Sequence, residues 1–172
     1  MKKTLFYLSV VGFGLSLFVH ALSLADYDVT TVFKPIWLLH LGVFPLFMPL
    51  VFELRNNEAI RDYRSDWRNR MNPFGFFNIV LKDAPVWLRI LVFVCFCYAI
   101  VNFFVFVHLP PGMIERVGEL DVLQNHGKLL KVLTEQEAHH YKALETRGFS
   151  GHWMAFYAFA VAFYFPYSKV SS

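Results

Sequence analysis

The residues of this sequence best suited to chemistry are its histidines. Seven are present, and four of them, His20, His40, His108 and His152, stand in or at the ends of apolar stretches. Neutral imidazole is a common metal and haem ligand, and ionisable side chains within membrane spans usually face the interior of a helix bundle. Two such rings at one depth on adjacent antiparallel helices could share a divalent metal ion, and a pair across a bundle could supply both axial ligands of a haem b. The same residues also fit a plainer role, because histidine can rest among lipid headgroups without any ligand.

A weaker ligand set lies in a polar stretch, where Glu137, His139 and His140 fall close together with Glu135 nearby and His126 further off. Glu137-x-x-His140 has the i, i+3 spacing of a carboxylate-bridged di-iron pair, but such sites need a second Glu-x-x-His and two further glutamates, which this chain lacks. A solvated helical face explains these residues better than a metal site does. Cys95 and Cys97, the only cysteines, are two apart in an apolar run and so point to different sides of a helix, leaving no Cys-x-x-Cys redox or zinc site. There is no P-loop, nucleophile elbow, Rossmann glycine pattern or His-Glu-x-x-His motif. An enzyme acting alone is not expected.

The elements that must carry these histidines follow from composition. The 172 residues are 56% hydrophobic, 19% aromatic and only 17% charged, too apolar for an ordinary soluble domain of this length. The sequence predicts an all-α integral membrane protein, a single membrane domain over 1–172 with four transmembrane helices. The first span, about 5–25, follows Lys2 and Lys3; its apolar region exceeds that of a signal peptide, so a retained helix is expected rather than a cleaved leader. The second, about 35–54, begins at Pro35 and contains Pro45 and Pro49, which should bend it. The third, about 86–109, is stopped by Pro110-Pro111-Gly112. The fourth, about 151–168, has Trp153 and Tyr167 where aromatic belts sit.

Between spans two and three, residues 55–85 form a basic loop whose "PFGFFNIVLKDAP" end suits the membrane interface. Between spans three and four, 113–150 reads as a helical extramembrane cap: Thr134-Glu135-Gln136-Glu137 is a capping box for a helix ending near Arg147-Gly148. Apolar cap positions such as Val122, Leu123, Leu129 and Leu133 suggest that it docks on the bundle. Arg55, Arg61, Arg64, Arg68, Arg70 and Lys82 crowd one connection while the first loop offers only Lys34, so the positive-inside rule puts both termini and the basic loop in the cytoplasm, with a bacterial inner membrane as the expected location. The net charge of +3 is accounted for by this topology, and no nucleic-acid partner is needed.

With these spans, a rise of 1.5 Å per residue puts His20 and His40 each roughly 7 Å inside the outer membrane boundary, with His108 and His152 about one turn higher. Phase singles out His20, which shares a stripe with Ser9, Phe13 and Ser16 that is better packed inward than aimed at lipid. His20 with His40 is therefore the favoured pair. On the third span Tyr98 and Asn102 share a face from which His108 is displaced, and Asn102 suits an interhelical hydrogen bond. In helix number and histidine placement alone the arrangement resembles four-helix membrane cytochromes b, an analogy that does not assign function. Two function classes follow: a scaffold or accessory subunit of a larger membrane complex, working with membrane-protein partners or a second copy of itself, and a haem- or metal-binding redox or transport component that uses the four histidines.

Overall fold

The computed structural model describes residues 2–70, 72–108 and 112–166. Seven α-helices and one small sheet follow in order: α1 Lys2–Leu24, α2 Leu38–Arg55, α3 Glu58–Ser65, α4 Trp67–Arg70, α5 Pro73–Val80, α6 Val86–Val107, strands β1 Met113–Val117, β2 Leu120–Asn125 and β3 Lys128–Val132, and α7 Glu135–Tyr164. Three helices are long and apolar enough to cross a membrane: α1, α2 with the 3-10 turn before it, and α6. The predicted end of the third span at Leu109, its Pro110-Pro111 stop, and the end of the fourth at Ser168 lie outside the described residues.

α7 is the centre of the molecule. It packs most extensively on α1, then on α6, then on α2, while α2 and α6 make little contact with each other. From Gly151 onward nearly every side chain is buried, including Trp153, Tyr157, Ala158, Ala160 and Ala162. A helix apolar on all sides is one enclosed by others.

The surrounding helices turn spaced seams toward it. On α1 the buried positions are Ser9, Gly12, Ser16, Val19, His20 and Ser23, and on α6 they are Leu88, Val92, Cys95, Ala99 and Asn102. Alternating steps of three and four residues are the period of left-handed helix packing. The α1 seam is made of small residues, which permits the close approach on which helix association in lipid relies. Its serine hydroxyls return to their own helix, Ser9 Oγ donating to Leu5 O and Ser16 Oγ to Gly12 O, both at 2.7 Å.

α2 runs parallel to α7. Tyr157 Oη donates to Leu39 O at 2.8 Å and Tyr164 Oη to Leu46 O at 2.6 Å, so one heptad on α7 matches one heptad on α2. The helix runs through both Pro45 and Pro49. At the opposite end from the sheet, Lys2 Nζ meets Glu53 Oε1 at 2.6 Å. The basic connection holds three short helices rather than a loop, α3 capped by Asn57 and α5 by Asn72, whose side chains accept from Ile60 N and Gly75 N.

The cap departs from the helical expectation. Residues 113–132 form an antiparallel β-meander in the order β1-β2-β3. Gly118, at φ +64°, occupies the first position of the turn joining β1 and β2, and His126 and Gly127 at φ +49° and +77° form the next turn. Positive φ at these positions defines the primed two-residue turns that match strand twist, so "VGEL" and "NHGK" are hairpin turns. Of the apolar cap positions, Val122, Leu123 and Leu133 are buried, whereas Leu129, Leu130 and Val132 are exposed. Burial is confined to the middle of β2 and to Leu133, and β3 is exposed along its whole length.

The predicted capping box is present: Thr134 Oγ1 accepts from Glu137 N, and the Glu137 carboxylate accepts from Thr134 N. The helix it starts does not stop at Gly148. It runs on to Tyr164, 30 residues in all, with Gly148 packed under the Phe106 ring and Gly151 under the Asn102 amide. Tertiary packing outweighs the roughly 1 kcal/mol that glycine costs inside a helix.

Candidate functional site

Two polar arrangements lie where α7 leaves the cap and enters the apolar bundle. The first joins three helices. His20 of α1 places Nδ1 2.8 Å from Ser150 Oγ and Nε2 2.5 Å from Tyr98 Oη. Ser150 Oγ donates to Arg147 O at 3.3 Å, so it accepts from His20, which therefore carries its hydrogen on Nδ1. Tyr98 then donates to Nε2. The chain runs one way, from Tyr98 through His20 and Ser150 to the Arg147 carbonyl. Beside it, Asn102 Nδ2 donates to Arg147 O at 3.0 Å and to Gly148 O at 3.3 Å, the interhelical bond expected of it.

Ser150 with His20 has the reach of a nucleophile and its base. Ser150 is nevertheless 0% exposed, and its hydrogen is directed at a backbone carbonyl. The trio is a packing device: each polar group in an apolar surrounding has its partner, which removes the cost of burying it. Both ring nitrogens of His20 are occupied, so it offers no lone pair to a metal while the chain is intact.

The second arrangement is a cavity of about 580 Å³ between α2 and α6, floored by α7 and lined by His40, His152 and an aromatic set that includes Phe44, Phe103, Phe149 and Trp153. The structure thus brings together two of the four predicted histidines. They are His40 and His152, and His20 does not line this cavity.

Their tautomers are fixed by neighbours. Trp153 Nε1 donates to His40 Nδ1 at 3.1 Å, so neutral His40 carries its hydrogen on Nε2. His152 Nδ1 lies 2.9 Å from Gly148 O; a carbonyl only accepts, so His152 carries its hydrogen on Nδ1 and presents a lone pair on Nε2. One ring is a donor and the other an acceptor. For a metal or haem this donor set supplies one imidazole lone pair in the present hydrogen-bonding state; ligation by His40 requires release of its bond with Trp153.

The remaining predicted ligands are placed apart. His108 is exposed at the end of α6, its Nδ1 2.7 Å from Phe104 O. Glu137 is held by its own capping box and by Lys131 at 2.5 Å. His140 Nδ1 lies 2.6 Å from Asp26 Oδ1, and His139 Nδ1 3.4 Å from Asp28 Oδ2. His140 ties the start of α7 to the α1–α2 connection, while His139 stands near Asp28 Oδ2, which has no hydrogen-bond partner among the described residues. Asp28 Oδ1 also caps the following 3-10 turn by accepting from Thr30 N at 2.9 Å. His126 sits in a hairpin turn and lines a second cavity, about 650 Å³, under the meander with Glu115 and Glu145. Among the described residues no group of three or more His, Cys, Asp or Glu side chains is gathered to hold a metal ion.

Glu145 lies above the apolar half of α7. Its carboxyl is held above the usual value by burial first and then by the Asp28 charge, with Lys142 acting the other way. Glu137 is shifted down by the hydrogen bond from Lys131, and Lys131 up by the same bond.

The sequence pairs His40 with His20 by depth, whereas the cavity is lined by His40 with His152. Depth alone does not show that Trp153 and the Gly148 carbonyl set the two rings in opposite tautomers. Trp153 five residues after Gly148 on one helix was the available signal; its partner on α2 was not. Comparison with protein families, with curated proteins and with solved structures finds no match for this chain.

Proposed function

We propose that this chain is a four-span, non-catalytic subunit of a larger assembly in a bacterial inner membrane, with the second half of α7, about 148–164, as the fourth span. Both termini and the α3–α5 segment lie on the cytoplasmic side, and the β-meander lies outside. The observation that carries this reading is the setting of α7, whose apolar half is enclosed by three helices that are each apolar enough to meet lipid. A segment so enclosed lies at the depth of its neighbours. Arginines at the α3–α5 end supply the orientation. The accessory role rests on the internal pairing of polar groups, which leaves Tyr98, His20, Ser150 and Asn102 engaged with the protein itself.

Cysteine labelling tests the topology. In a background lacking Cys95 and Cys97, a cysteine at Leu129 should react with an impermeant reagent added outside, and a cysteine at Ser65 only after permeabilisation; the reverse pattern would reject the orientation. Native mass spectrometry from mild detergent tests the accessory role, which predicts a stable assembly larger than one chain. A strictly monomeric species would end it.

A second reading is a haem- or metal-binding redox or transport component. The one observation favouring it is that His40 and His152 line a single aromatic cavity. An absorption band in the visible, or stoichiometric metal, in the purified protein would establish it.

A further inference from the structure

The cavity between α2 and α6 has a composition that specifies more than apolar filling. Its volume of about 580 Å³ falls within the range of small-molecule sites. Phe44, Phe47, Phe103 and Phe156 give it flat aromatic walls, with Phe47 and Phe156 in edge contact at 5.3 Å and His152 edge-on to Phe103 at 5.7 Å. Because α2 and α6 scarcely meet, it lies between helices that face lipid, and a ligand dissolved in the bilayer can enter sideways.

Within those walls stand two half-satisfied imidazoles of opposite character. Among the described residues the His40 Nε2–H and the His152 Nε2 lone pair have no partner, each ring's other nitrogen alone being engaged; His40 is exposed on its helix and His152 half-buried. In hydrocarbon, an unpaired polar atom is costly. A ligand that removes the cost at both must accept from His40 and donate to His152, and must otherwise be flat and apolar.

We propose that this cavity binds a membrane quinol, a dihydroxy aromatic ring on an isoprenoid tail, in preference to the corresponding quinone. A quinol oxygen accepts from His40 while a quinol O–H donates to His152. The quinone has acceptors only, so it satisfies His40 and leaves the His152 lone pair unpaired. The ring stacks among the phenylalanines and the tail leaves between α2 and α6 into lipid. The inference concerns binding and requires no electron transfer in this chain. It rests on the membrane placement proposed above.

The test is ligand-induced displacement of the thermal midpoint for the full chain in nanodiscs, titrated anaerobically with a short-chain ubiquinol, its quinone, and the quinol dimethyl ether, which keeps the ring and loses both O–H donors. A saturable upward shift is expected, with the quinol binding about tenfold more tightly than either analogue, the factor that one hydrogen bond commands. H152F should erase the preference for quinol over quinone, and H40F should weaken both about tenfold. H108F, at an exposed ring that does not line the cavity, should change neither. Reading the ligand-induced shift rather than the midpoint itself separates lost binding from lost stability. Equal affinity for all three ligands, unchanged binding in both H40F and H152F, or no saturable shift in the wild-type protein would overturn the proposal. Labelling at Leu129 and Ser65 in sealed vesicles, where the two sides of the bilayer are separate compartments, keeps a failure of topology distinct from a failure of the site.

Discussion

His20 and Tyr98 meet across the bundle, imidazole Nε2 to phenolic oxygen, at 2.5 Å, with the rings edge-on and their centroids 5.2 Å apart. Neither helix packs extensively on the other; each packs on α7, and the Ser150 hydroxyl on His20 Nδ1 completes the join. Replacing Tyr98 by Phe removes one interhelical bond, for which about 0.6 kcal/mol is typical in a membrane. His20→Ala leaves the Tyr98 hydroxyl without its partner, takes from Ser150 the donor it accepts from while its own bond to Arg147 O remains, and opens a void, and should cost about 2–4 kcal/mol. Unfolding in mixed micelles measures both, and a cost for Y98F equal to that for H20A would contradict the chain of bonds.

Tyr157 lies against the bare Cα of Gly12 on α1, where a Cβ would collide with its ring, and its hydroxyl lies 2.5 Å from the place a Cβ would take on Gly42 of α2. Gly12→Ala should therefore destabilise by about 1–3 kcal/mol through overpacking. Combining it with Tyr157→Leu should give less than the sum of the single effects, since the smaller side chain relieves the clash. Strict additivity would show that the ring has room to move.

Glu145 and Glu137 should give opposite pH dependences. Burial raises Glu145 above the usual 4.5, so the folded state holds its proton more tightly than the unfolded state. Its contribution is fully present below pH 4.5 and is lost as pH rises through the raised value. Glu137 is lowered; its contribution is present above the usual carboxylate value and is lost as pH falls through the lowered one. E145Q should remove the decline on the higher-pH side alone, and E137Q the decline on the acid side alone, in stability profiles from pH 3 to 8.

The two aspartates of the α1–α2 connection should differ in consequence. Asp26 pairs with His140 where both are about half exposed, and such pairs contribute about 0–1 kcal/mol. Asp28 is 4% exposed, caps the 3-10 turn and faces His139. Asp28→Ala should cost about 1 kcal/mol or more, and it should speed amide exchange at both Thr30 and the first turns of α7, whereas D26A should leave Thr30 unchanged. Equal effects would reject the dual role of Asp28.

Apolar length made α1, α2 and α6 legible within a few residues, and the capping box located the start of α7. The inward stripe Ser9, Ser16, His20 was legible because small and polar residues at a helical spacing stand out in an otherwise apolar segment. The cap was misread because its hairpin signals, Gly118-Glu119 and His126-Gly127, lie among Glu, Lys and Leu, which favour helix when read alone; the cross-strand register of Ile114 with Leu123 is a nonlocal fact. Gly148 reads as a stop in isolation, because the Phe106 ring that covers it is some forty residues away in the chain. The pairing of His40 with His152 escaped because depth along a span places residues in layers but does not say which helices are neighbours. That needs the parallel match of Tyr157 and Tyr164 with Leu39 and Leu46.

The continuity of α7 makes the cap and the bundle one mechanical part. At 1.5 Å per residue, its 30 residues form a rod about 45 Å long. One end is pinned near Asp26 and Asp28, and its middle carries Gly148, His152 and Trp153 along the cavity floor. A lateral push on the meander is therefore delivered as leverage inside the apolar bundle, with the small-residue seam of α1 as the fulcrum.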